Sequence, residues 1–130
     1  MKPLLLDTHV WLWSLVSPQR LPRELREAIG QGSQALFLSA ASAWELSIKY
    51  AIGKMPLPEP PRHFIGPRLV RDDIRLLPID LHHTVEVADL PQHHQDPFDR
   101  LLIVQARVEG MRLVTADAAM EQYDVDLWKI

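Results

Sequence analysis

The 130-residue chain contains no cysteine, which removes disulfide cross-links and thiolate chemistry together. It also lacks any run of about 18 apolar residues, the length needed to cross a bilayer, so no membrane association is expected. Near the N-terminus the apolar run Leu4-Leu5-Leu6 is cut short by Asp7 and does not read as a secretion signal. Strong charge of either sign is missing as well. Fourteen basic against seventeen acidic residues leave a formal charge of −3, too little for a global field that would draw a polyanion. These absences fit a reducing cytoplasm. They also require that any polyanionic partner be drawn by a local basic strip or a bound cation.

What is present points to a folded protein. Apolar residues make up 47% and charged residues 24% of the chain, as in one globular domain with a single substantial core; residues 1–130 are read as that domain. Pro3 to Asp7 reads as a short apolar strand covered on both faces. Asp7 and Thr8 can cap a helix running from His9 to about Val16. Its Val10, Trp11, Leu12, Trp13, Leu15 and Val16 leave almost no polar face, so part of its cover is expected from a second protein. Pro22 and Glu24 open another helix, ending near Gly30 to Gly32. Ala35 to Leu38 is a second strand, and Ser39 caps a helix that Gly53 stops. There Ala41, Trp44, Ile48, Ala51 and Ile52 recur at helical spacing, which makes Trp44 a core residue.

Four prolines (Pro56, Pro58, Pro60, Pro61) make residues 54–61 an extended connector. Arg62, His63, Arg68, Arg71 and Arg75 then form the most basic stretch of the chain. Leu76 to Ile79 is a third strand, placed at an edge by Pro78, and Asp80 caps a helix from Leu81 to about Leu90. Asp96 and Pro97 open a well-made helix, with Phe98, Leu101, Leu102, Ala106 and Val108 near the helical period. Arg112 to Thr115 is a fourth strand, Asp117 starts a short helix to about Tyr123, and Val125 to Trp128 is a weak last strand anchored by Trp128. Strand and helix alternate with no hairpin signal, so the fold class is α/β with a mostly parallel sheet.

In such a sheet ligands bind beyond the carboxyl ends of the strands. Asp7, Asp80 and Asp117 lie at or just past those ends, Glu45 in the first turns of the helix after the second strand, and Asp99 one turn into the helix that feeds the fourth. Carboxylates that converge on one rim need a compensating charge. Without cysteine and with few well-placed histidines, an all-oxygen site suits Mg2+ or Mn2+. Such a cation activates water and neutralises charge on a phosphate, so the reaction that follows is hydrolysis of a phosphodiester.

Each acid also has a plainer reading. Asp7, Asp80, Asp96 and Asp117 can be N-caps worth about 1 kcal/mol each. Glu45 can complete a capping box with Ser42, or pair with Lys49 for about 0.3–0.5 kcal/mol. Asp99 resists this treatment, because Asp96 already fills the cap. His82-His83 and His93-His94 look like ligand pairs, but neighbours on a helix do not share a face, so they read as solvated loop or cap histidines. Trp11 and Trp13 cannot both face one core, which leaves one of them as a candidate contact for a partner chain.

Four stretches complete the reading: Leu5-Leu6-Asp7-Thr8-His9; Leu38-Ser39-Ala40-Ala41-Ser42-Ala43-Trp44-Glu45, followed by Lys49 and Gly53-Lys54; His94-Gln95-Asp96-Pro97-Phe98-Asp99-Arg100-Leu101-Leu102; and Leu113-Val114-Thr115-Ala116-Asp117. In these motifs, over nearly its whole length, the chain resembles the PIN-domain ribonucleases, in particular the VapC-like toxins of type II toxin–antitoxin modules. The resemblance implies a three-layer α/β/α sandwich and an acidic pocket for Mg2+ or Mn2+ built from Asp7, Glu45, Asp99 and Asp117. In it Asp7 and Asp99 are the principal metal ligands, Asp117 contributes directly or through water, and Glu45 positions or deprotonates the attacking water. Thr8 and Thr115 support these acids by hydrogen bonding.

The resemblance further implies a metal-dependent endoribonuclease that cuts single-stranded or loop RNA (tRNA in some members), is silenced by a cognate antitoxin, and forms a homodimer. With so little net charge, contact with RNA is expected to depend on the strip from Arg62 to Arg75 and on the metal. A haloacid-dehalogenase-type phosphatase would want a second Asp where His9 stands. A receiver-like phospho-acceptor would want an acidic doublet where Asp7 stands alone, and a strand-end Asp where Ser39 stands. The remaining alternative is a PIN scaffold that binds RNA or protein without cutting, and the intact set of four acids argues against it.

Overall fold

A computed structural model describes residues 2–130. Five short strands, β1 (Leu4–Leu6), β2 (Leu36–Ser39), β3 (Ile74–Leu77), β4 (Arg112–Thr115) and β5 (Leu127–Lys129), pair in the order β3-β2-β1-β4-β5. Every pairing is parallel. Between them run α1 (Thr8–Val16), α2 (Arg23–Gln31), α3 (Ala40–Ala51), α4 (Pro61–Arg71), α5 (Leu81–Glu86) and α6 (Pro97–Glu109). Short 3-10 turns follow at Pro18–Arg20, Val87–Asp89 and Ala118–Gln122. None of the described helices is long and apolar enough to cross a membrane.

The all-apolar β1 is central, and its three leucines are fully buried. Because a strand alternates its side chains, Leu4 and Leu6 join Leu36, Leu38 and Val114 in one core, while Leu5 and Leu113 join the other. The first core is closed by α1, α2 and α4 through Val10, Trp11, Leu25, Phe64 and Leu69. The second is closed by α6 through Leu102, Ile103 and Ala106, with Leu90 and Met120. The expected sandwich with a parallel sheet between two helical layers is present.

Several expectations needed correction. The third strand lies earlier than Leu76 to Ile79: β3 ends at Leu77, and Pro78, which cannot donate to the ladder, stands just outside it. It is an edge strand, as Pro78 implied. The helix after Asp80 is shorter than expected, because α5 stops at Glu86 and a 3-10 turn carries the chain to Asp89. The basic stretch is itself helical. Pro61 occupies the first turn of α4, and Pro67 within it costs one backbone donor while Phe64, Ile65 and Leu69 pack inward.

Trp44 is not a core residue. It is 59% exposed, and Ile48 and Ile52 share that outer face, because α3 turns Ala41, Ser42, Glu45 and Leu46 inward instead. The all-apolar α1 is mostly covered by the chain's own core. Trp11 is fully buried edge-on against Phe64, whereas Trp13 is partly buried beneath the Arg20 guanidinium and Val16 is exposed.

Candidate metal centre

The strand order reverses between β1 and β4, and the cleft beyond their carboxyl ends is where a doubly wound sheet accepts its ligand. Asp7 stands one residue past β1. Its Oδ1 caps α1 by accepting from the His9 N–H at 2.9 Å, and its Oδ2 accepts from the Thr115 hydroxyl at 2.6 Å. That hydroxyl also accepts from the Asp117 N–H at 3.0 Å. Asp117 divides its oxygens in the same way: Oδ1 accepts from the Ala119 N–H at 2.9 Å, and Oδ2 lies 3.2 Å from His94 Nε2. Capping therefore occupies one oxygen of each acid; the other is bonded to Thr115 in Asp7 and meets His94 in Asp117.

Helix α6 delivers the third acid. Asp96 Oδ1 accepts from the N–H groups of Phe98 and Asp99 at 2.8 and 3.3 Å, which fixes the first turn, and Asp99 Oδ2 lies 2.9 Å from His94 Nε2. Burial pushes the Asp99 carboxyl up to about 7; the charges of Asp96, Asp7 and Glu45 push the same way, and His94 opposes them. Burial also raises the Asp7 carboxyl, against the hydrogen bonds from Thr115 and His9.

Glu45, 4% exposed, is buried beside Thr8 on α3. Its Oε1 accepts from the Thr8 hydroxyl at 2.9 Å and its Oε2 from Lys49 Nζ at 2.6 Å, and this second bond raises the Lys49 ammonium. Ser42 Oγ lies 2.7 Å from Thr8 Oγ1. A hydroxyl has one proton, so with Thr8 donating to Glu45 the Ser42 hydroxyl donates to Thr8. The four acids singled out in the sequence thus come together. Asp7 and Glu45 both act on Asp99 through their charges, and Asp117 meets it at His94.

The donor set fits a hard divalent cation. Four carboxylates gather here, with Asp96 beside them, against one ammonium engaged by Glu45 and two imidazoles, His94 and the exposed His9, 3.9 Å from Asp7. The raised Asp99 carboxyl is the mark of surplus negative charge in a partly dry site. Two residues outside the sequence reading's site take part. His94 is no solvated loop histidine, since it bridges Asp99 and Asp117. Arg100, 6% exposed, clamps the loop that carries it. Their signal in the sequence is position: His94 lies two residues before the cap Asp96, and Arg100 is a cation inside an apolar helix face. His83 is a cap residue as read, but buried rather than solvated, and Lys49 makes the simple i, i+4 pair with Glu45 that its spacing offered.

A parallel α/β sheet with its carboxylates gathered at the switch point defines the class: a doubly wound fold with an acidic cleft at the carboxyl edge of its strands. Within that class the chain belongs to the PIN domain family, whose model matches residues 4–126. It is similar to Ribonuclease VapC16 of Mycobacterium tuberculosis, with 38% identity over 74 residues, so the match spans about half of each chain (52%). With Ribonuclease VapC22 of the same organism the identity is 29% over 124 residues, 95% of this chain and 93% of the relative. Among solved structures, DNA-bound VapBC from Salmonella typhimurium superposes with a TM-score of 0.73 at 18% identity, covering 99% of this chain and 98% of that one. VapBC-1 from nontypeable Haemophilus influenzae gives 0.67 at 17% identity, covering 97% and 96%. At such identities the likeness is one of fold.

Proposed function

We propose that this chain is a metal-dependent endoribonuclease, the toxin of a toxin–antitoxin module, working in the cytoplasm. One observation carries the proposal. Asp7, Asp99 and Asp117 meet at the switch point with Glu45 behind them, and burial holds the Asp99 carboxyl near 7. Membership in the PIN family and relatives named as ribonucleases support RNA as the substrate. Solved relatives named VapBC support a protein antitoxin as partner.

In this reading Asp7, Asp99 and Asp117 hold Mg2+ or Mn2+, which when bound supplies an activated water and charge neutralisation at the phosphate. Thr115 keeps the Asp7 carboxylate turned to the cleft. Glu45, steadied by Thr8 and Lys49, retains a lone pair on each oxygen to orient the attacking water or take its proton. In the basic strip Arg68 is paired with Glu59 and Arg71 with Asp72, so RNA contact falls chiefly to the exposed Arg62 and Arg75. Self-association is part of the same reading, and the exposed Trp44, Ile48 and Ile52 give it an apolar face.

The test is cleavage of RNA by purified protein freed of any co-purifying chain. Activity is expected with Mg2+ or Mn2+, none with EDTA, and a loss of about 100-fold or more in Asp99→Asn. Cleavage that survives EDTA, or is undiminished in Asp99→Asn, would sink the reading.

A further inference from the structure

The loop between the turn at Val87–Asp89 and the start of α6 is held with unusual effort for a surface segment. The buried Arg100 guanidinium donates to the carbonyls of Pro91, Val87, Leu90 and His94 at 2.8, 3.1, 3.4 and 3.5 Å, and to the Tyr123 hydroxyl at 3.2 Å. The same hydroxyl accepts from the His94 backbone N–H at 2.8 Å. What this clamp presents to the cleft is the His94 imidazole. Its Nε2 lies 2.9 Å from Asp99 Oδ2 and 3.2 Å from Asp117 Oδ2, and the three groups offer ligand atoms all within 4.8 Å of one another. Donors around one ion at about 2.1 Å are never more than about 4.2 Å apart, so the set needs only small adjustments to surround an ion.

We infer that His94 is an imidazole ligand of the metal held by Asp7, Asp99 and Asp117, and that it turns the site toward Mn2+ and away from Mg2+. The inference rests on the metal site proposed above. Mg2+ takes oxygen ligands in a strict octahedron and dehydrates reluctantly, whereas imidazole is a ligand of transition ions. Coordination through Nε2 places the imidazole proton on Nδ1. The contacts given up are the Nε2–H bonds to Asp99 and Asp117, at 2.9 and 3.2 Å, whose oxygens turn to the ion instead, and the one from the Asp96 N–H to Nδ1, which at 3.5 Å is at the limit of a hydrogen bond.

The full chain, freed of any partner and stripped of metal, is titrated with Mn2+ and separately with Mg2+, and the Mn2+-loaded sample is read by pulsed EPR for coupling to imidazole 14N. The wild type is expected to show that coupling and to bind Mn2+ more tightly than Mg2+. In His94→Ala and in His94→Gln the coupling disappears, Mn2+ binding weakens about tenfold or more, and Mg2+ binding changes less. Mn2+ bound by the wild type without 14N coupling overturns the inference, as does equal or tighter Mn2+ binding in His94→Ala, which would make His94 a competitor for the site. A wild-type spectrum without the coupling decides against the inference even if a variant does not fold, and His94→Gln separates His94 from His9, whose Nδ1 lies 3.9 Å from Asp7. If wild type and Asp99→Asn alike bind no Mn2+, the metal site itself fails, an outcome distinct from loss of the nitrogen ligand alone.

Discussion

At the start of α5, Asp80 caps the helix and His83, one turn in, closes a capping box; at the start of α6, Asp96 caps and Asp99, one turn in, looks into the cleft. Around each start one histidine and two acids bring their ligand atoms within 4.8 Å of one another. At α5 the polar groups answer each other. His83 Nδ1 accepts from the Asp80 N–H at 3.1 Å and Nε2 meets Glu109 at 2.8 Å, while the Asp80 and Glu109 side chains stay 61% and 35% exposed. At α6 Asp117 stays 40% exposed, but Asp99, only 18% exposed, is turned into the cleft with the charges of Asp96, Asp7 and Glu45 around it, and it moves to about 7. Composition does not separate the two clusters. The number of carboxylates that share a poorly solvated space does.

The contrast can be broken most forcefully at Arg100. Replacing it by Ala leaves the 87–94 loop carbonyls without their donor, and a loss of about 3 kcal/mol is expected in urea unfolding. Arg107→Ala, on the exposed side of the same helix, is expected to stay within about 0.5 kcal/mol.

A middle-sized effect follows from Asp99. Its folded-state value of about 7 lies above the ordinary 3.8. Between those values the folded chain holds more protons than the unfolded one, so stability is greatest at the acid end of that window and falls as pH rises through it. Metal-free protein is therefore expected to melt lower at pH 8 than at pH 5. Asp99→Asn should flatten that slope and gain on the order of 1–2 kcal/mol at pH 8, allowing for solvent screening. Thermal unfolding with chelator, then with Mn2+, checks both halves, since only the wild type should be rescued by the ion.

The smallest effect belongs to the α5 cluster. Asp80→Ala is expected to cost about 1 kcal/mol as a lost cap and to leave RNA cleavage unchanged. A variant that folds but no longer cuts would erase the distinction between the two starts.

Much of this was legible in the residues. Leu4-Leu5-Leu6 announces a central strand, Pro78 an edge, and Asp96-Pro97 a helix start, because each acts through its own backbone or its immediate neighbours. Asp99 stood out because the cap beside it was already filled. Trp44 misled, since Trp44, Ile48 and Ile52 do share a helix face but spacing cannot say whether that face points in or out. The small Ala41 and Ser42, with Glu45 reaching Thr8, take the inner side. α4 was hidden by Gly66-Pro67, which local preference counts as a break and core packing of Phe64 and Leu69 overrides.

By itself the sequence determined the alternation of strand and helix and the helix caps, because periodicity, proline geometry and capping are local, while the choice of four acids among six came from the resemblance of its motifs to a family. Tertiary structure alone decided which capped acids also face one another, that Asp99 lies close enough to Asp7 and Glu45 for their charges to raise it, and that Arg100 draws His94 over the start of α6. Electrostatics in a poorly solvated cleft depends on distances between residues far apart in the chain, such as the 108 positions separating Asp7 from Thr115, and those distances exist only once the sheet has formed.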